Sequence, residues 1–405
     1  MVKGDIEHLR TLHPNIRFDG SKIFDPFDMS DPSSNYILSV LRGNCSIPPN
    51  FSEEKWEKIL VFLRKNWISE YFFWRLQDLP KCFQPPQQIV AKLRKGFLAT
   101  TARMLQLDLQ LKEITEAFDN EGVEILVLKG PALAMMVYPH PAARVGSDID
   151  LLILPEMMQS GRKILQKLNY TCLQPRYDQV RPFYKDEVFI KIKKGFKMVE
   201  LHWALHCFSV LTKRVNIEDL FSRAIKVEAN QYSFKALAPV DALIHRALNN
   251  AFMHFMDMRL IWVIDIEFLV KNLKTSDDWE LLRDRSINSY ACLAIELGIR
   301  MANVFLALKL PEAFQNYSNW PSPCKKEQKV WNRIAYKKRS MLDLFYLYHW
   351  NLRDISTIPM SIFYSLFPPK AYMKHFYRVS GNQSLYFSYI RRWLNWIPFF
   401  SKSND

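Results

Sequence analysis

The sequence predicts an α+β protein in which a mixed β-sheet core, residues 116–215, lies between two helical units, residues 1–115 and 216–405. Apolar residues recur at helical spacing before residue 120, and helical spacing returns after Asn216. Between these regions, short β-branched and apolar runs begin at Val123 and alternate with helix-like segments. This order of elements is typical of a sheet covered by helices.

The first unit, residues 1–115, is predicted to be all helical. From Ser34 to Asn120, apolar residues lie three and four positions apart, as they do between Ile59 and Trp67. Proline-containing breaks at 47–49 and 84–86 separate the helices.

The core, residues 116–215, begins with a predicted strand, Val123–Leu128, followed by a turn at Gly130-Pro131 and a helix, Ala132–Tyr138. The apolar run Ile149–Leu154 predicts the second strand. The remaining predicted elements are a helix, Glu156–Leu168, and two strands, Val188–Ile192 and Lys197–Trp203, joined at Lys194-Gly195.

The last unit, residues 216–405, is predicted to be helical and to end in an aromatic, basic tail. Its predicted helices are Pro239–Phe255, Met258–Asn272, Trp279–Asp284, Tyr290–Leu308 and Lys326–Tyr348. Tail segment 386–396 combines Tyr, Phe and Trp with Arg, which suits either a helical core or peripheral contact with a membrane surface. Core packing is the favoured interpretation.

Composition excludes a disordered or fibrous protein, because 49% of the 405 residues are hydrophobic and 14% are aromatic. The net charge of +14 favours an anionic partner, such as a nucleotide, a nucleic acid or a membrane surface, although charge for solubility explains it equally well. The six cysteines form no C-x-x-C pair. Because the first residues lack a signal-peptide run and no segment is apolar enough to span a bilayer, the sequence predicts a cytoplasmic protein.

Asp148 and Asp150 are the most informative residues of the chain. They alternate at the start of the predicted strand Ile149–Leu154, so their carboxylates project from the same face. Two rigidly held carboxylates repel each other unless a cation lies between them. A divalent ion carrying a nucleoside triphosphate is the favoured cation, with Mg²⁺ expected and Mn²⁺ as a substitute.

Lys129, Gly130 and Pro131 lie where a phosphate cradle is expected. Gly130 allows close approach of the backbone to phosphate oxygens, and Lys129 offers a positive charge. Pro131 suits the first turn of a helix whose free N–H groups face an anion. A turn glycine and a solvated lysine are the alternative interpretations.

A third carboxylate is expected on a neighbouring strand, and Glu200 is the best candidate because it interrupts an apolar strand. Burial of an unpaired glutamate is costly, whereas metal coordination or general-base catalysis explains its position. Asp186 and Glu187 are weaker candidates because their charged surroundings predict a loop. His202 shares a strand face with Glu200 and is predicted to be a hydrogen-bonded core histidine.

Arg144 and Ser147 are further candidates for nucleotide contact. Arg144 either neutralises charge on the transferred phosphoryl group or pairs with Asp148. Ser147 either donates a hydrogen bond to phosphate or has a capping or surface-exposed position, which is the favoured interpretation. A separate set on two predicted helices, His245, His254 and Asp265, favours a buried structural network over catalysis.

These motifs resemble the polymerase-β-like nucleotidyltransferase superfamily, in which a glycine turn and a helix precede D-x-D on a strand and a third acid on a later strand. The chain is more narrowly similar to a largely uncharacterised bacterial branch of that superfamily. The residues that carry this similarity are Leu128-Lys129-Gly130, Tyr138-Pro139, Arg144, Asp148-Ile149-Asp150, Glu200-Leu201-His202-Trp203 and Arg259 to Asp265.

The resemblance implies a polymerase-β-like fold for the core, metal binding by Asp148, Asp150 and Glu200, and nucleotide contact at Lys129 and Gly130. It also implies Mg²⁺-dependent transfer of a nucleoside monophosphate from an NTP such as ATP to an acceptor, with release of pyrophosphate. In many members serine follows the glycine. In this chain Pro131 holds that position, and it offers neither a hydroxyl nor an N–H group.

Three functional hypotheses follow. The first is a nucleotidyltransferase whose acceptor is a polysaccharide precursor, a peptide or protein, or RNA. The second is a catalytically inactive nucleotide-binding or scaffold protein, in which the proline has altered the cradle. The third is an RNA-modifying, toxin-like transferase, which the positive net charge favours.

Overall fold

The computed structural model describes Phe27, Phe367, Met373 and residues 30–173, 185–191, 197–253, 259–309, 320–334 and 385–396. Among the described residues, four N-terminal α-helices precede the sheet. Asp31 and Ser52 cap the first two by accepting hydrogen bonds from the backbone N–H groups of the first turn. These helices are α1 (Pro32–Arg42), α2 (Glu53–Lys65), α3 (Ser69–Leu76) and α4 (Gln87–Asn120).

The sheet has seven described strands in the order β3-β4-β5-β2-β1-β7-β6. The strands are β1 (Ile125–Leu128), β2 (Ile149–Ile153), β3 (Thr171–Cys172), β4 (Asp186–Lys191), β5 (Lys197–His202), β6 (Ile225–Glu228) and β7 (Ser233–Ala236). The pairs β2–β5 and β1–β7 are parallel, and the other pairs are antiparallel. The prediction of a mixed sheet is therefore confirmed.

Two strands lie beyond residue 215, where the sequence predicted only helices. Strands β6 and β7 form an antiparallel hairpin, and β7 extends the sheet beside β1. Each has only four residues, and charged side chains such as Lys226 and Lys235 lie on them. The alternation of polar and apolar residues over four positions is a weaker sequence signal than the helical periodicity that follows it.

Helices lie between and after these strands. Helices α5 (Lys129–Met136) and α6 (Met158–Lys167) follow β1 and β2, and α7 (Ser209–Thr212) and α8 (Ile217–Ser222) follow β5. The later helices are α9 (Pro239–Leu248), a π-helical segment Asn249–Met253, α10 (Leu260–Asn272), α11 (Ser276–Ser289), α12 (Cys292–Leu306), α13 (Lys325–Ile334) and α14 (Leu385–Trp396). In the described parts of the chain, no helix combines the length and the apolar character needed to cross a bilayer.

The sheet separates two hydrophobic cores. Leu126 and Leu152 face the larger core, which contains the N-terminal helices and the helices after β7. Val127, Leu151 and Val199 face the smaller core, formed with α4 and α6. Alternate residues of a strand point to opposite faces, so one strand contributes to both cores.

The C-terminal tail is described only in part. Helix α14 exposes Tyr386 and Phe387, whose relative accessibilities are 67% and 72%. Ser388 on the same helix is buried, and residues 397–405 lie outside the described residues, so peripheral contact with a membrane remains a prediction.

Replacement of two helical glycines by alanine is expected to change the stability of the protein in opposite directions. A Cβ atom at Gly161 in α6 would lie 2.9 Å from Ile153 Cδ1 and 3.0 Å from Leu201 Cδ2, whereas one at Gly96 in α4 would meet nothing within 4 Å. We expect Gly96→Ala to raise the free energy of unfolding by about 0.5–1 kcal/mol through helix propensity. We expect Gly161→Ala to lower it by about 1–3 kcal/mol through overpacking. Urea denaturation measures both; equal changes at the two sites would contradict the packing described for α6.

Glu327 on α13 predicts a pH-dependent contribution to stability. Its carboxylate is buried and accepts a hydrogen bond from the backbone N–H of Leu293, 2.9 Å away. Burial raises the pKa of Glu327 to about 7, with a further contribution from the Glu296 carboxylate. A raised carboxyl pKa means that the folded protein holds the proton more tightly, so the contribution is full below about pH 4.5 and is lost as the pH rises through 7.

We therefore expect Glu327→Gln to stabilise the protein by roughly 3 kcal/mol at pH 8 and to change stability little at pH 4.5. Glutamine keeps an oxygen that can accept the hydrogen bond from Leu293 and has no charge to lose. Thermal unfolding of both proteins across this pH range tests the expectation. A stability difference that does not change with pH would contradict it.

Candidate functional site

Strands β2 and β5 place Asp150 and Glu200 side by side. The strands run parallel, and their register pairs Asp150 with Glu200 and Leu152 with His202. Paired residues of neighbouring strands point to the same face, so the two carboxylates and the imidazole of His202 project together. Asp150 and His202 are buried, and Glu200 is partly exposed.

Asp150 lies between two nitrogen atoms. Its Oδ1 atom is 3.2 Å from Lys129 Nζ and 2.9 Å from His202 Nε2. Burial alone would raise the pKa of Asp150, but the adjacent Lys129 and His202 hold it well below its usual value. The residue is therefore a carboxylate throughout the physiological pH range.

Asp150, Glu200 and His202 form a group that could hold a metal ion. Each offers one ligand atom, and these atoms lie within 4.8 Å of one another; His202 Nε2 is 3.3 Å from Glu200 Oε2. His202 Nδ1 lies 3.5 Å from Asp186 Oδ2. A histidine that binds a metal through one nitrogen usually donates its other N–H to a carboxylate, and Asp186 is placed to accept it. The donor set fits a divalent cation.

Asp148 immediately precedes β2 and lies outside that closest group. Its Oδ1 atom accepts a hydrogen bond from the exposed Ser147, 3.3 Å away. Burial, together with the nearby Asp150 and Glu200 carboxylates, raises the pKa of Asp148 to about 6. The repulsion among these three carboxylates is what a bound cation would relieve.

Asp186 and Glu187 lie in strand β4, so the predicted loop at these residues is wrong. Asp186 pairs with His202 across β4 and β5, and its carboxylate contacts Lys185. Glu187 points elsewhere and forms a buried ion pair with Arg162 on α6. The local charge suggested a loop, but within the sheet Arg162 on α6 neutralises Glu187, and the adjacent Lys185 neutralises Asp186.

Lys185 adds a second cation to the site, which the sequence did not reveal. Its Nζ atom is 3.2 Å from His202 Nδ1 and 4.0 Å from Glu200 Oε2. Burial alone would lower the pKa of Lys185, but the carboxylates of Asp186 and Glu200 raise it above its usual value. Lys185 therefore remains protonated.

The junction between β1 and α5 differs from its predicted form. Helix α5 begins at Lys129, three residues before the predicted start at Ala132, and the left-handed backbone belongs to Lys129 (φ +46°). Pro131 is therefore the third helical residue, where its missing N–H removes no intrahelical bond. The N–H groups of Lys129 and Gly130 lie in the first turn, where an α-helix has no carbonyl of its own to accept them.

Arg144 pairs with Asp265 and not with Asp148. Its Nε and Nη2 atoms donate to the two carboxylate oxygens of Asp265 at 2.8 and 2.9 Å, and Tyr138 donates to Asp265 Oδ1 at 2.7 Å. Arg246 Nε lies 3.2 Å from Asp265 Oδ2, poorly aligned for a hydrogen bond. Asp265 thus lies in a buried network, as predicted, but its partners are Tyr138, Arg144 and Arg246 and not the histidines grouped with it in the sequence. A nucleotide contact by Arg144 remains a prediction.

His245, one of the two histidines grouped with Asp265 in the sequence, forms no hydrogen bond with it. His245 is buried on α9 and packs against His206, with 5.5 Å between the ring centroids. His254 lies outside the described residues. His206 and Lys185 are the site neighbours that sequence reasoning missed. The only sequence signal for the role of His202 was its alternation with Glu200 on one strand.

The chain is similar to a solved structure and matches a protein family. A solved structure, an antigenic nucleotidyltransferase-like protein from Paracoccidioides brasiliensis, is 14% identical, covers 51% of this chain and 97% of its own, and superposes with a TM-score of 0.31. No curated protein matches the chain. The family described as uncharacterised nucleotidyltransferase matches residues 52–307, which include every site residue named above. With more than half of its length matched, the chain belongs to this nucleotidyltransferase family, as the sequence predicted.

Proposed function

We propose that the protein is a Mg²⁺-dependent nucleotidyltransferase that transfers a nucleoside monophosphate from an NTP to an acceptor hydroxyl group and releases pyrophosphate. The observation that carries the proposal is the pairing of Asp150 with Glu200 on adjacent parallel strands, beside the first turn of α5. Membership of the nucleotidyltransferase family supports it.

The carboxylates of Asp148, Asp150 and Glu200 would hold the cation, with His202 as a further ligand. Bound there, a divalent cation supplies Lewis-acid stabilisation of the phosphoryl oxygens. Mn²⁺ suits the same oxygen and nitrogen donors. The NTP phosphates face the free N–H groups of Lys129 and Gly130 at the start of α5.

Glu200 is placed to act as the general base, because its carboxylate is the most accessible of the strand pair. It takes the proton from the acceptor hydroxyl as that oxygen attacks the α-phosphorus. The new O–P bond replaces the bond between the α-phosphorus and the bridging oxygen, and pyrophosphate leaves. Lys129 then shifts from Asp150 to the leaving phosphates, which exchanges one ion pair for another.

The position of the label in the product tests the proposal. Purified protein with Mg²⁺, mixed NTPs and a deproteinised cell extract is expected to transfer radioactivity from α-labelled NTP and none from γ-labelled NTP. Pyrophosphate should form in equal amount. Transfer of the γ-label would show phosphoryl transfer and would contradict nucleotidyl transfer.

The two lysines favour a second candidate function, that of a non-catalytic nucleotide-binding or scaffold protein. Lys129 contacts Asp150, and Lys185 lies close to Glu200, so ammonium groups neutralise the carboxylates that a catalytic cation needs. Titration calorimetry with Mg²⁺ or Mn²⁺ plus ATP separates the candidates when combined with the label assay. Tight nucleotide binding without any labelled product would favour the scaffold.

A further inference from the structure

A cavity of about 400 Å³ lies beside the carboxylate site, and the proposed nucleotidyl transfer uses none of its lining residues. Its walls come from the segment after β5 and from α8, α9 and α11. His245 lines this cavity and also a smaller cleft that contains Lys129. The cavity is therefore a neighbour of the proposed nucleotide site, and its volume is that of a small-ligand pocket.

Two buried histidines in this cavity have hydrogen-bonding atoms without partners. Nε2 of His206 and both ring nitrogens of His245 are buried, and the described residues offer them no hydrogen bond. Each histidine is 3% exposed. A buried polar atom without a partner is costly, and a ligand hydroxyl that reaches these nitrogens from the cavity would remove that cost.

Both histidines are neutral at physiological pH. Burial lowers the pKa of His206 to about 3, helped by the nearby Lys185 and Lys129, and burial together with His206 holds the pKa of His245 well below its usual value. A neutral imidazole has one donor and one acceptor nitrogen. A hydroxyl group, which both donates and accepts, matches this pair of functions.

The charged side chains around the cavity balance one another. Asp241 Oδ1 is 2.5 Å from Arg285 Nη1, and Arg223 Nε is 3.2 Å from Asp241 Oδ2. Arg214 lies over the Tyr290 ring, 4.2 Å from its centroid. The complete set of charged lining residues is Arg214, Arg223, Arg285, Asp219, Asp241 and Asp284. The three positive and three negative charges are equal in number, so the lining itself carries no formal net charge.

We propose that this cavity binds an uncharged polyhydroxylated ligand, a sugar or a comparable polyol, through His206, His245 and the flanking amide, carboxylate and guanidinium groups. Neighbouring hydroxyl groups need closely spaced donors and acceptors, which Asn288, Asp241 and Arg285 provide. The role of this ligand as the acceptor, with one hydroxyl directed to Glu200, rests on the proposed function. The binding site itself does not.

Saturation-transfer NMR on the full chain without nucleotide tests the binding. The probes are glucose, galactose, N-acetylglucosamine and myo-inositol, with glucose 6-phosphate and glucuronate as charged counterparts. We expect at least one neutral probe to bind, and to bind more tightly than its charged counterpart. Binding by none of the neutral probes, or preferential binding of the charged ones, would overturn the proposal.

A pair of variants on α11 locates the site. Asn288 is exposed at the cavity rim, and Ile287, the preceding residue, is exposed outside the cavity. Asn288→Trp is expected to fill the cavity and weaken neutral-probe binding by about tenfold or more, equivalent to roughly 1.4 kcal/mol. Ile287→Trp adds the same indole and is expected to leave binding unchanged. Equal effects of the two variants would overturn the assignment.

The experiments can reject the proposed transferase activity and the proposed sugar site independently of each other. Sugar binding that Asn288→Trp abolishes, in a protein that transfers no α-label, would support the cavity and reject the transferase. Transfer of the α-label without binding of any neutral probe would support the transferase and reject the sugar site.

Discussion

Asp150→Asn is expected to reduce nucleotidyl transfer by at least about 10³-fold, a loss of roughly 4 kcal/mol of transition-state stabilisation. The change replaces one oxygen by an NH₂ group and keeps the volume, but it removes the charge on which the proposed cation site depends. Asp150 is the central member of the site, because a single oxygen contacts both Lys129 and His202.

The measurement is release of pyrophosphate together with transfer of the α-label under saturating NTP and Mg²⁺. Asp119→Asn makes the same chemical change in an exposed residue near the end of α4 and should keep full activity. Thermal unfolding of both variants separates a loss of chemistry from a loss of fold. A folded Asp150→Asn protein with wild-type turnover would refute the metal-site assignment.

Asp265→Ala should have the largest effect on stability, a loss of about 3–5 kcal/mol. Asp265 is fully buried and neutralises Arg144 while lying 3.2 Å from Arg246. Burial alone would raise the pKa of Asp265, but the two arginines lower it below its usual value. Without this carboxylate, two buried guanidinium groups would lose their nearest counter-charge.

Denaturant unfolding measures this loss. If Asp265→Ala does not yield folded protein, Asp265→Asn retains the shape and the hydrogen bond from Tyr138 and should still be clearly destabilised. Glu54→Ala breaks an exposed ion pair with Lys58 on α2 and should change stability little. Similar losses for the buried and the exposed residue would contradict the network.

The nature of this network also explains a difference between the sequence prediction and the structure. Asp265 was predicted to belong to a buried network, because it lies inside an apolar helical segment. Its partner Arg144 is 121 positions away in the sequence and was assigned to Asp148 or to phosphate. Burial of a residue can be inferred from its neighbours in sequence, whereas the partner of a buried charge depends on how distant elements pack.

The strands β2 and β5 were predicted correctly, whereas some neighbouring turns and element boundaries were not. The apolar runs and the D-x-D spacing predicted both strands and the shared face of their acids, because side chains alternate with a period of two. The loop predicted at Asp186 and the later helix start at Ala132 were wrong. In each, ion pairs or packing formed in the folded protein outweighed a local preference for turn or coil.

The sequence by itself predicted the strands that carry Asp150 and Glu200 and the nucleotidyltransferase family of the chain, because periodicity and motif spacing are local properties. Only the tertiary structure decided that Lys185 and His202 adjoin these carboxylates, that Arg144 is committed to Asp265, and that a charge-balanced cavity lies beside the site. These features depend on contacts between elements far apart in the chain, which local residue preferences do not specify.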